Sequence, residues 1–205
     1  MTDLVSGHYA AQNPLWTMLG RPANATQGNV AGRSNVEWFG YGTPLDSATA
    51  ATKKGVFAAV PVAEGEVISK ITVLIGATEG KTGVKSFVSL YSGISGKEEA
   101  KLLGQSAKKE VALKPALPLT EELEKSVLIT SANAPGGWVY AGLTVECTTV
   151  NTQIGTKVIA AAQKEWFSKG PEAFAIEIAQ KAAGEAAATT KTETAVELVP
   201  YVILT

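Results

Sequence analysis

The sequence predicts a mainly β protein: an antiparallel β-sandwich or jelly-roll-like domain carrying an extended N-terminal arm. Three observations lead there. From Val56 onward, short alternating runs bounded by Gly and Pro recur at intervals of roughly ten residues, as in sandwiches and jelly rolls. The clearest run, Trp138 to Thr148, sets Val139, Ala141, Leu143, Val145 and Cys147 on one face and Tyr140, Gly142, Thr144 and Glu146 on the other. Residues 1–55, by contrast, hold no period of 2 or 3.6 and are broken by Pro14, Pro22 and Pro44. They nevertheless contain Trp16, Trp38, Phe39 and Tyr41, which a solvated linker would lack. That stretch is expected to lie on a surface, its own domain's or a neighbour's.

The strands are expected in the following order within residues 56–205. Val56 to Val62 is apolar and ends in the turn-prone Ala63-Glu64-Gly65-Glu66. Ile71, Val73 and Ile75 then alternate with Thr72 and Leu74 until Gly76. Val84 to Tyr91 sets Phe87, Ser89 and Tyr91 opposite Val88 and Leu90. Gly93 and Gly96 mark a turn, and Leu102 to Ser106 begins the returning strand. Leu119 to Lys125 predicts one or two helical turns, with Thr120 as N-cap and acidic residues in the first turn. Val127 to Thr130 is a short strand, followed by the turn Ala134-Pro135-Gly136-Gly137. Residues 151–197 form a long excursion. Within it Phe174, Ile176 and Ile178 alternate as in a strand, while Phe174, Ile178 and Ala182 share a helical face, so Pro171 to Ala188 reads as mixed structure. Leu198 to Thr205 closes the chain as a strand, with Pro200 at an edge or a start.

At 205 residues the chain fits one domain with a self-sufficient core. Charged residues make up only 18%, against a typical share of about 25%. The 18 basic and 19 acidic residues nearly cancel, so no nucleic-acid or membrane partner is expected. A surface so weakly charged suits coverage by neighbouring subunits. The single Cys147 rules out an intrachain disulfide and reads as a buried structural thiol. Without a basic start and apolar run, the N-terminus is not expected to be a secretory signal.

The motifs that could carry chemistry each fall short. Gly76-Ala77-Thr78-Glu79-Gly80-Lys81-Thr82 follows a strand, but a phosphate-binding loop needs four residues between its first Gly and its Gly-Lys-Thr and here there are three. Such a loop should also open a helix, whereas Val84 to Tyr91 alternates like a strand; a glycine-rich hairpin turn accounts for the same residues. His8 is the only histidine and has no partner ligands or orienting acid in sequence. Glu64 and Glu66, and Glu121 and Glu122, read as solvated carboxylates in turns or polar faces. Asn24-Ala25-Thr26 is a chance glycosylation match. The chain is therefore expected to be no enzyme and to use no cofactor or metal. The aromatic residues remain. Trp16, Trp38, Phe39 and Tyr41 are candidate partner contacts of the arm. Trp138, Tyr140 and Trp166 are candidates for stacking on a glycan or a partner, with burial in the core or under the arm as the plainer reading of Trp138 and Tyr140.

Several phrases occur in a familiar order. Val60 to Gly76 (Val-Pro-Val-Ala-Glu-Gly-Glu-Val-Ile-Ser-Lys-Ile-Thr-Val-Leu-Ile-Gly) precedes Ser89-Leu90-Tyr91-Ser92-Gly93 and Leu102-Leu103-Gly104-Gln105-Ser106-Ala107. Gly137-Trp138-Val139-Tyr140-Ala141-Gly142-Leu143-Thr144-Val145 and Pro200-Tyr201-Val202-Ile203-Leu204 follow. In that order they resemble the β-sandwich structural proteins of tailed phages, especially those of actinobacteria. The resemblance covers roughly residues 55–150 and the last eight. It departs at Trp138, where the family often has Tyr or Leu, and lacks the usual tryptophan between Ala107 and Leu113. It implies assembly into a virion after synthesis in the host cytoplasm. Capsid decoration or minor capsid proteins, often trimeric and bound to the major capsid protein or other virion proteins, are the leading expectation. A minor tail or fibre protein touching host glycans is the alternative, and a nucleotide-binding enzyme the rival from another class.

Overall fold

The computed structural model describes residues 33–34, 45–46, 54–78, 85–94, 99–110, 118–146, 154–160, 174–179, 194–195 and 198–205. Among the described residues every regular element is a strand, and every pairing is antiparallel. In chain order the strands are β1 (Arg33–Ser34), β2 (Leu45–Asp46), β3 (Lys54–Pro61), β4 (Val67–Thr78), β5 (Lys85–Tyr91), β6 (Leu102–Gln105) and β7 (Lys109–Glu110). They continue with β8 (Pro118–Leu128), β9 (Trp138–Glu146), β10 (Ile154–Ala160), β11 (Ala175–Ala179), β12 (Thr194–Ala195), β13 (Leu198–Pro200) and β14 (Val202–Leu204).

The strands form two sheets. The first runs β1-β14-β4-β10-β13, with β8 paired to β4 and β2 to β10. The second runs β12-β11-β3-β9-β5-β6, with β7 paired to β5. Strand alternation explains the second sheet's centre. Val139, Ala141, Leu143 and Val145 of β9 join Ala58 and Val60 of β3 and Val88 and Leu90 of β5 in one aliphatic cluster. Ile71 and Val73 of β4, Leu123 and Val127 of β8, and Val202 and Leu204 of β14 enter the same cluster, so both sheets build one core.

Two chain reversals set this arrangement. Ala63-Glu64-Gly65-Glu66 turns as expected: Gly65 has φ of 87°, the Ala63 N–H donates to Glu66 Oε2 at 2.9 Å, and the Glu66 N–H donates to the Ala63 carbonyl. Thr130 to Gly137 makes the second, in which Asn133 Oδ1 accepts from the Thr130 N–H at 2.8 Å while its Nδ2 donates to the Leu128 carbonyl. Gly136, with φ of 80°, lies under the Trp138 ring, where an added Cβ would come within 2.2 Å of ring carbons.

The strands expected at Val56–Val62, Ile71–Ile75, Val84–Tyr91, Leu102–Ser106 and Trp138–Thr148 correspond to β3, β4, β5, β6 and β9. β6 returns along β5, with Ser89 opposite Gln105 and Leu90 opposite Gly104. The helix expected at Leu119–Lys125 does not form. Those residues and Val127–Leu128 make one strand, β8, paired with β4 from Val67–Leu128 to Leu74–Pro118. Sheet pairing overrides local helix propensity here. The register advances two residues on β4, from Ile68 to Lys70, against five on β8, from Val127 to Glu122. Such a bulge disguises the period of 2.

The Gly76–Thr82 stretch is not a hairpin turn either. Gly76 lies inside β4, and β4 and β5 belong to different sheets, so the connection passes between sheets. Within the expected excursion, Ile176 and Ile178 lie on β11, so the strand alternation holds there. Pro200 ends β13 at the break before β14. Inside the stretch expected as an arm, β1 pairs with β14, β2 pairs with β10, and β3 begins at Lys54. Cys147, His8 and Asn24 lie outside the described residues.

Candidate functional site

The far face of the second sheet carries the unusual chemistry. Residues that alternate with the aliphatic core set point there: Phe57 and Ala59 on β3, Phe87 and Tyr91 on β5, Trp138 and Tyr140 on β9, and Ile176 and Ile178 on β11. Ladder register places them in rows. Ile176 pairs with Phe57, Phe57 with Gly142 and Gly142 with Ser89; one row on, Ala59 pairs with Tyr140 and Tyr140 with Tyr91. The Phe57 and Tyr91 rings meet edge to face, with centroids 5.1 Å apart and planes at 80°.

Small residues make room for those rings. A Cβ on Gly142 would stand 2.1 Å from the Val56 carbonyl oxygen and 2.9 Å from the Phe57 Cα, so β9 and β3 could not keep their spacing. A Cβ on Gly55 would meet the Phe57 ring at 2.5 Å and Thr144 Oγ1 at 2.6 Å. This aromatic set is buried: Phe57 and Tyr91 are 0% exposed, Tyr140 is 1% and Trp138 is 8%. Polar atoms are buried with it. Among the described residues, Ser89 Oγ, Thr144 Oγ1 and Trp138 Nε1 find no hydrogen-bond partner. A buried donor without an acceptor costs about 1–3 kcal/mol.

Trp138 and Tyr140, expected either as a glycan platform or as core, are thus core residues in this fold, and neither presents a ring face to solvent. Trp16, Trp38, Phe39, Tyr41 and Trp166 lie outside the described residues. Sequence reading passed over Phe57, Phe87 and Tyr91 as site residues. The signal was present, because Phe87, Ser89 and Tyr91 share one strand face and Val56–Val62 is apolar at successive positions, as a strand buried on both sides must be.

Elsewhere the arrangement is plain. An open cavity of about 260 Å³ lies beside the two turns, lined by Val62, Glu64, Ile129, Thr130, Ala134 and Gly137 among others. Glu122 is exposed as expected and bonds Lys70 at 2.9 Å. Glu121 departs from expectation: it is 6% exposed, on the side of β8 that also holds Leu119 and Leu123. Val67 and Leu128, directly opposite across β4 and β8, are 53% and 54% exposed. Among the described residues no group of three or more His, Cys, Asp and Glu could hold a metal ion, and no helix is long and apolar enough to cross a membrane. No family model matches the chain, and no curated protein matches it.

Proposed function

We propose that this chain is a structural protein of a tailed-phage virion, a capsid decoration or minor capsid protein that acts by binding rather than by catalysis. In this reading the two sheets pack as a sandwich of jelly-roll type. The observation that supports it most is the placement of the phrases that carry the phage resemblance. Ser89–Gly93 includes the end of β5 that pairs with β6, which lies within Leu102–Ala107, and Gly137–Val145 covers β9 up to Val145, flanked by β3 and β5. Pro200–Leu204 contains β14, which lies along β4. Phrases that are generic one at a time thus occupy neighbouring parts of one fold.

Residues 1–55 are the proposed contact with the shell, through Trp16, Trp38, Phe39 and Tyr41. Chain laid across a junction between capsid subunits buries apolar area only in the assembled particle, at about 25 cal/mol per Å². A homotrimer would match the local three-fold positions of an icosahedral shell. The partners are the major capsid protein or other virion proteins, and the location is the virion after synthesis in the host cytoplasm.

Antibody-gold labelling of purified virions tests the proposal. Label spaced regularly over heads is expected. Label confined to tails would replace it with the tail or fibre reading, and unlabelled particles would end both.

A further inference from the structure

We draw no further inference here: the strongest candidate, the buried aromatic far face of the second sheet around Phe57, Tyr91 and Tyr140, carries nothing because nothing in the structure shows what covers it.

Discussion

The two sheets solve the same problem differently. In the first sheet, β8 buries one face and leaves the other open. On β8, Glu121, Leu123 and Val127 are buried, while Thr120, Glu122, Glu124 and Leu128 are exposed. Its open face is held by polar cross-strand contacts, such as the 2.8 Å hydrogen bond between the Thr72 and Thr120 hydroxyls and the Lys70–Glu122 ion pair. The second sheet is apolar on both faces: one meets the shared aliphatic core, the other the aromatic set around Phe57, Tyr91 and Tyr140. An antiparallel sheet ordinarily keeps one face wet. Strands β3, β5 and β9 are buried on both faces.

The largest expected effects therefore sit on the second sheet. Phe57→Ala should cost about 3–5 kcal/mol, as much as deleting a residue of the shared core such as Leu90, for which Leu90→Ala gives about 2–5 kcal/mol. Urea unfolding of both variants checks this. A Phe57→Ala loss below about 1 kcal/mol would mean that the far face is a loosely covered surface and would remove the contrast between the sheets. Gly142→Ala comes next. Its new methyl has the Val56 carbonyl oxygen in its way, and backbone cannot yield as a side chain does, so the loss is expected at the upper end of the roughly 1–3 kcal/mol usual for overpacking. The same substitution should lower amide protection along β3 and β9 but not along β4 and β8. Equal loss of protection in both sheets would show that they unfold as one unit.

How much of this was legible in the sequence follows the same division. β9 reads directly, because its two faces differ in chemistry and Gly137 marks its start. β5 and β6 follow the same logic, whereas the single strand expected over Leu198–Thr205 is two, β13 on β10 and β14 on β4, broken after Pro200. β8 does not read, for two physical reasons. Glu121 occupies a buried position, breaking the apolar period, and the extra residues between Glu122 and Val127 shift its phase. What remains is a run of helix-favouring Leu, Glu and Lys whose strand state depends on β4, far away in sequence. The division of β4 and β5 between sheets is likewise a tertiary fact that the glycines between them do not encode. At the candidate site, the alternation showed that Trp138 and Tyr140 share a face but not whether anything covers it. Burial on the far side depends on the fold as a whole, which no local pattern reports.

The far face also allows a prediction of opposite sign. Ser89 and Thr144 place hydroxyls among the rings, and these find no partner among the described residues. Replacing them by Ala and Val, which keep the shape and remove the polar atom, should raise stability by about 1 kcal/mol each in the free protein. Denaturant midpoints measure this. Destabilisation by more than about 1 kcal/mol would show that the hydroxyls are satisfied by the natural cover, and would mark them as contacts of whatever lies there.

The smallest effect belongs to the open face of the first sheet. Lys70 and Glu122 are 45% and 73% exposed, and their pairing competes with water and with the entropy of two long side chains. A double-mutant cycle with Lys70→Ala and Glu122→Ala should give a coupling of roughly 0.2–1 kcal/mol, fading as salt rises from 0.1 to 1 M because the Debye length shrinks from about 10 to 3 Å. The magnitude decides more than the ion pair. Val67 and Leu128 lie opposite each other on the same two strands and are more than half exposed, so a partner seated on that face would exclude water from Lys70 and Glu122 as well. A coupling above about 2 kcal/mol that resists salt would mean that the face is dry in solution. The first sheet would then be buried on both sides like the second, and the contrast between them would disappear.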